Sequence, residues 1–295
     1  MQEHVRVATL QYFIRPVADF DAFAAQVDGL ITTAADYGVE LLVFPEYFTL
    51  QLLTLGDVRR PMLQQVNALS ERTPQLRELF TQHARKHDLF IVGGSMLERD
   101  TSGTLANVSY LFTPDGELGA QAKLHMTRFE REDWNLEGGH ELRTFDTDIG
   151  RLGIAICYDV EFPEVAREHA RQGAQLLVVP SCTDDRQGFL RVRHCAQART
   201  IENQMYVITS HTVGSLPMVP AVSLNYGQAA ILTPSDFPFA RDGILAEGIP
   251  NQETMVIAEL EMGAIQRARS SGTVLPLLDS ERTAGVVAEV DEVSL

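Results

Sequence analysis

Short apolar runs that stop abruptly on a reactive polar residue recur along this chain, separated by stretches of helical period. Val5-Arg6-Val7-Ala8-Thr9-Leu10 alternates as a strand does, and Phe20, Phe23, Ala24, Val27, Leu30, Ile31 and Ala34 then return at amphipathic-helix spacing until Gly38. Val39-Glu40-Leu41-Leu42-Val43-Phe44-Pro45 predicts a strand that ends on Glu46. A helix over 75–87, with Leu76, Leu79, Phe80, His83 and Ala84 on one face, and a strand Leu89-Phe90-Ile91-Val92-Gly93 follow, so the opening order is βαβαβ.

The next segment changes character. Residues 107–112 and 118–122 flank the turn Thr113-Pro114-Asp115-Gly116-Glu117, which predicts a hairpin whose second, antiparallel strand ends on Lys123. Leu152-Gly153-Ile154-Ala155-Ile156-Cys157 then runs into Tyr158-Asp159-Val160-Glu161-Phe162-Pro163, a strand breaking sharply into a helix with proline in its first turn. Further strands are predicted at Leu176-Leu177-Val178-Val179, 205–210, 228–232 and 255–260, with a helix over 188–203. The pattern gives a mixed-sheet α/β fold over 1–295, read as one domain because no low-complexity linker interrupts it, with 272–295 as a C-terminal tail or interface segment.

Composition narrows the function classes. With 24 basic against 40 acidic residues the net charge is −16, which repels phosphate backbones and anionic lipid, so neither nucleic acid nor a membrane surface is an expected partner. The opening residues lack the apolar core of a signal peptide, and no apolar run approaches the ~18 residues a membrane span requires. The cysteines Cys157, Cys182 and Cys195 are too few and odd in number for a disulfide framework, so a reducing, cytoplasmic location is expected.

Three strand ends thus present a carboxylate, an ammonium and a thiol, and open α/β sheets gather their chemistry outside the carboxyl ends of strands. If Glu46, Lys123 and Cys157 converge, they form a hydrolytic site. Lys123 favours the thiolate, Glu46 takes the thiol proton and returns it to the departing nitrogen, and Lys123 with the N–H of Tyr158 holds the oxyanion. Tyr47, Tyr158 and Glu161, beside these groups in sequence, are candidate substrate-binding residues. Glu161 and Asp184-Asp185, if they line the pocket, favour a neutral or cationic substrate.

Phe44-Pro45-Glu46, Lys123-Leu124-His125, Cys157-Tyr158-Asp159 with Phe162-Pro163-Glu164, and Ala198-Arg199-Thr200-Ile201-Glu202-Asn203 together resemble the nitrilase superfamily of carbon-nitrogen hydrolases, over nearly the whole chain. The resemblance implies an αββα sandwich that forms four layers on dimerisation, a homodimer or larger homo-oligomer, a Glu46-Lys123-Cys157 triad and no cofactor. It also implies an auxiliary glutamate in Phe129-Glu130-Arg131-Glu132-Asp133-Trp134; counting back from Gly138-Gly139 favours Glu132, with Glu130 the alternative. The expected activity is cleavage of a small linear amide or carbamoyl compound through a cysteine thioester with release of ammonia. Nitrile hydrolysis and a catalytically silent scaffold are the alternatives.

Other groupings point elsewhere. Cys182, His194 and Cys195 lack a C-x-x-C pair, so no metal centre is expected there. Arg199 and Glu202 read as a structural i,i+3 ion pair. His125 or His211 with Cys157 would make a cysteine–histidine pair, a reading that the strand ends at Glu46 and Lys123 oppose.

Overall fold

A computed structural model describes residues 2–100, 102–287 and 292–293. The first alternating run is β1 (His4–Ile14), followed by α1 (Phe20–Asp36), capped by Asp19, whose carboxylate accepts from the Ala22 N–H at 2.7 Å. Next come β2 (Leu41–Phe44), a 3-10 segment Phe48–Leu55, α2 (Met62–Ser70), α3 (Thr73–His87) and β3 (Phe90–Gly93). β4 (Met96–Arg99), β5 (Leu105–Phe112) and β6 (Leu118–Ala122) run back and forth, the last two forming the predicted hairpin. After α4 (Arg128–Glu132), β7 (Thr144–Thr147) and β8 (Gly150–Ile154), a 3-10 turn Cys157–Glu161 leads into α5 (Pro163–Arg171). β9 (Leu176–Ser181), α6 (Arg186–Asn203) and β10 (Tyr206–Gly214) repeat the alternation. β11 (Ala230–Leu232), β12 (Ile244–Glu247), β13 (Thr254–Glu261), α7 (Met262–Ser271) and α8 (Pro276–Val286) complete the order.

Among the described residues, the thirteen strands belong to one hydrogen-bonded network that mixes parallel and antiparallel pairs. β1, β2 and β3 are parallel, as are β8, β9 and β10, whereas β13 lies antiparallel to β1. Gln11 pairs with Thr254 of β13 on one edge and His211 of β10 on the other. That second edge pairs with β2 over Val7–Thr9 and passes to β10 over Gln11–Ile14. β10 therefore takes over where β2 ends, and the sheet curls at that seam.

The alternation along β1 and β2 builds the layers. Val5, Val7, Leu41 and Val43 face Ile154, Leu177 and Val179 of the other half-sheet in one buried cluster. Ala8, Leu10, Leu42 and Phe44 pack instead against Phe23, Val27 and Ile31 of α1 and Leu76 and Phe80 of α3. On the far side Val165 and Ala166 of α5 and Val192 and Ala196 of α6 cover the second half-sheet. These are the expected α, β, β and α layers.

The predicted tail segment is a folded helix over most of its described length: α8 carries Leu277 against the core. Residues 288–291 and 294–295 of that segment lie outside the described residues. Among the described residues, no helix is long and apolar enough to cross a membrane.

Candidate active site

Glu46 follows β2 at the seam between the half-sheets, where Thr212 of β10 donates its hydroxyl to the Glu46 carbonyl at 2.7 Å. The path there is tight. A Cβ on Gly94, whose φ is +64, would lie 2.1 Å from the Pro45 carbonyl oxygen, so the backbone packing behind Glu46 requires glycine. Lys123 leaves the end of β6 with its N–H bonded to the Asn107 carbonyl at 2.8 Å and its carbonyl to the Gly139 N–H at 2.8 Å. Cys157 stands at φ 49, in the left-handed region a cysteine seldom occupies, at the start of its 3-10 turn. The strand predicted to run through Cys157 ends at Ile154, and this sharp turn aims the thiol out of the sheet.

The three side chains converge. Glu46 Oε1 accepts from Lys123 Nζ at 2.8 Å and from Asn107 Nδ2 at 3.0 Å, while Oε2 accepts from the Cys182 N–H at 3.0 Å. Cys157 Sγ lies close enough to Glu46 to feel its carboxylate charge, and it donates to the Cys182 carbonyl at 3.7 Å. Glu46, Lys123 and Cys157 line one cavity of about 430 Å³, walled also by Tyr47, Trp134 and Tyr158.

The second carboxylate on Lys123 is Glu130, which corrects the preference for Glu132. Lys123 Nζ donates to Glu130 Oε1 at 2.7 Å and lies 2.8 Å from Oε2, and Tyr47 Oη donates to Oε1 at 2.6 Å. Thr127 caps α4, and Glu130, three residues on, accepts from the Thr127 N–H at 2.9 Å in a capping box that turns its carboxylate inward. Glu132 is about 200° further round the helix, half-exposed, and pairs with Arg128 at 2.9 Å. Thr127-Arg128-Phe129-Glu130 is itself a capping-box signature, a signal stronger than distance from the glycines.

A carbon-nitrogen hydrolase family model matches residues 6–270. The chain belongs to the carbon-nitrogen hydrolase family. It is 44% identical over 278 residues to the probable hydrolase YhcX of Bacillus subtilis, a match covering 94% of this chain but 54% of the relative, so the chain spans about half of that protein's length. It is 28% identical over 274 residues to the omega-amidase NIT2-A of Xenopus laevis, covering 90% of this chain and 91% of that one. Among solved structures, Nit3 of Saccharomyces cerevisiae, a member of branch 10 of the nitrilase superfamily, superposes with a TM-score of 0.73 at 27% identity over 91% of this chain and 94% of that chain. The carbon-nitrogen hydrolase of Helicobacter pylori shares the fold with a TM-score of 0.77 at 20% identity, over 96% of each chain.

Electrostatics in this carbon-nitrogen hydrolase chain departs from the sequence expectation at the thiol. Burial pushes the Cys157 thiol well above its ordinary value, the Glu46 charge pushes it further, and Lys123 offsets only part of this. The resting Cys157 side chain is therefore a neutral thiol. Burial also raises Glu46 to about 7, against the pull of Lys123. Burial would raise Glu130 too, but the Lys123 charge and the hydrogen bonds from Lys123, Tyr47 and Thr127 outweigh it and hold Glu130 below the usual glutamate range. Burial opposes the Lys123 charge, yet Glu130 and Glu46 together keep it an ammonium.

Nothing in the sequence signalled the anchoring role of Asp159, which holds the frame of the site. Asp159, buried two positions past Cys157, accepts from the Leu124 N–H at 3.0 Å and the His125 N–H at 2.8 Å, and bonds His125 Nδ1 at 2.9 Å. Arg199 forms the expected pair with Glu202 at 2.9 Å and also donates to the carbonyls of Val160 and Glu161, each at 3.0 Å, closing the 3-10 turn that starts at Cys157. Tyr47 is buried, with its hydroxyl on Glu130 and its ring edge-on to Trp134, so it shapes the wall rather than reaching into the opening. Glu161 and Asp184 do line the cavity, but so do Arg128 and Arg191, and Arg191 lies 3.5 Å from Glu161. Asp185 caps α6 instead. The acidic pocket expected from sequence is charge-balanced. His125 and His211 are not among the cavity-lining residues, and His211 is buried against Phe189 with burial lowering it to about 3.

Proposed function

We propose that the chain cleaves the carbon–nitrogen bond of a small linear amide or carbamoyl compound through a Cys157 thioester, releasing ammonia. The observation that carries this reading is the position of Glu46: its carboxylate is bonded to Lys123, shares one cavity with Cys157 and has an affinity for protons suited to exchange near neutrality.

In the first half-reaction Cys157 Sγ bonds the carbonyl carbon while its proton passes to Glu46 and the carbonyl π pair moves onto oxygen. The Lys123 charge and the N–H of Tyr158, one of the first in its turn and so without an acceptor inside it, stabilise that oxyanion. Collapse expels the nitrogen with the proton from Glu46 as ammonia and leaves the thioester. Water then attacks the thioester, giving a proton to Glu46. The C–S bond then breaks, the acid departs, and Glu46 returns its proton to the Cys157 sulfur. One carboxylate serves both halves, and no step calls for a cofactor.

Glu130 contacts Lys123 and not the reacting atoms, so we assign it a positioning role: its two oxygens fix the ammonium that faces Glu46. The test is ammonia release from a panel of small amides, carbamoyl amines and nitriles by the wild-type chain and Cys157→Ala. Amide or carbamoyl turnover that disappears in a folded Cys157→Ala protein is expected. Turnover retained by that variant refutes the nucleophile, and turnover of nitriles alone refutes the substrate class.

A further inference from the structure

Away from the strand ends, on the outer helical layer, α1 and α3 bring together three side chains that the proposed chemistry does not use. His83 and His87 are one turn apart on α3, and Asp28 faces them from α1. One donor atom from each lies within 4.8 Å of the other two. His83 Nδ1 approaches Asp28 Oδ1 at 3.3 Å, yet that nitrogen makes no hydrogen bond, and His87 Nε2 is likewise shielded from solvent without a partner. Shielded ring nitrogens ordinarily find partners.

This spacing has a chemical meaning. Two ligands of a tetrahedral zinc ion with bonds of about 2.0–2.1 Å stand about 3.3 Å apart, the separation seen between His83 Nδ1 and Asp28 Oδ1. Two imidazoles and one carboxylate are a donor set that zinc-type ions accept, with water completing the shell. A lysine competes for the carboxylate: Lys86 Nζ lies 3.4 Å from Asp28 Oδ1. Its side chain is 61% exposed, so it can swing into solvent at small cost.

We propose that Asp28, His83 and His87 form a binding site for a divalent zinc-type ion that clips α1 to α3. The site is structural, because its ligands hold the helical layer over β1 and β2 while Glu46, Lys123 and Cys157 open at the strand ends. It needed tertiary structure to be seen, since Asp28 and His83 stand 55 positions apart in the chain.

Cobalt(II) titration of the full chain, followed by its visible absorption, tests the proposal alongside zinc-dependent melting. One equivalent of cobalt with nitrogen–oxygen ligand bands is expected, and zinc raises the melting temperature. Asp28→Asn and His87→Gln each weaken binding by at least about tenfold and abolish the zinc-induced rise. Lys86→Ala tightens binding about two- to fivefold by freeing the carboxylate, a gain that misfolding cannot imitate. A sulfur-to-cobalt charge-transfer band, unchanged binding in the ligand variants, or no binding by the wild-type chain overturns the site. None of these readouts depends on amide hydrolysis.

Discussion

Lys123 and Glu130 form a two-point contact, with Nζ 2.7 Å from one carboxylate oxygen and 2.8 Å from the other, in a space where both side chains are almost wholly withdrawn from water. Because Glu46 takes the same ammonium at 2.8 Å, two carboxylates share one cation. The Lys123 charge and the hydrogen bonds from Lys123, Tyr47 and Thr127 hold Glu130 ionised, whereas burial leaves Glu46 as the carboxylate whose proton affinity lies near neutrality.

Glu130→Gln should therefore retain a hydrogen-bonding side chain but let Lys123 shift, lowering kcat by about a hundredfold with a small change in KM. Glu132→Gln, at the exposed pair with Arg128, should leave kcat/KM within about twofold and stability within about 0.5 kcal/mol of wild type. Steady-state kinetics of both variants checks the assignment, and the reverse ranking would restore Glu132.

The proton affinity of Glu46 sets the acid limb of the rate profile. With its carboxyl raised to about 7 mainly by burial, the ionised base is lost as pH falls through that value, so kcat/KM rises with pH and levels off above it. Lys123 and the Cys157 thiol are both pushed upward, so neither imposes a descending limb near neutrality. A profile between about pH 5 and 9 checks this. A flat profile, or a limb in the ordinary glutamate range, contradicts Glu46 as the base.

How far the sequence announced this site depends on whether a feature was local. Glu46 and Lys123 were legible because each directly follows an apolar strand, and the Pro114-Asp115-Gly116 turn showed that β6 returns antiparallel. Cys157 was legible as a break, although its left-handed backbone was not. Glu130 carried a local signal in its capping box, which counting from distant glycines overrode. The opposition of Arg191 to Glu161 and of Asp28 to His83 had no local trace, because each joins separate elements through packing. The 3-10 segment and α2 between β2 and α3 were also missed, their apolar residues lacking a long helical period.

Asp159 tests the frame rather than the chemistry. Asp159→Ala removes the acceptor for the Leu124 and His125 N–H groups and should cost about 2–4 kcal/mol in denaturant unfolding, since two main-chain donors lose their partner. Asp159→Asn keeps one acceptor oxygen and should lose less. Both should lower kcat, because the segment they release carries Lys123. Full activity in a destabilised Asp159→Ala protein would separate this anchor from catalysis.

Arg191 decides the charge that the cavity presents to substrate. It lies 3.5 Å from Glu161 and is itself 64% exposed, so it neutralises Glu161 only weakly, through a screened pair. Arg191→Ala removes one of two arginines from the lining and leaves Glu161 and Asp184 in place, shifting the local balance toward negative. For matched amides ending in an ammonium or a carboxylate, the ratio of kcat/KM should move about fivefold toward the ammonium, which corresponds to about 1 kcal/mol of differential attraction. The shift should shrink as salt is raised, because both partners reach solvent. Glu161→Gln should move the ratio the opposite way. Equal ratios in both variants would mean that these two side chains flank the entrance without meeting the substrate's far end.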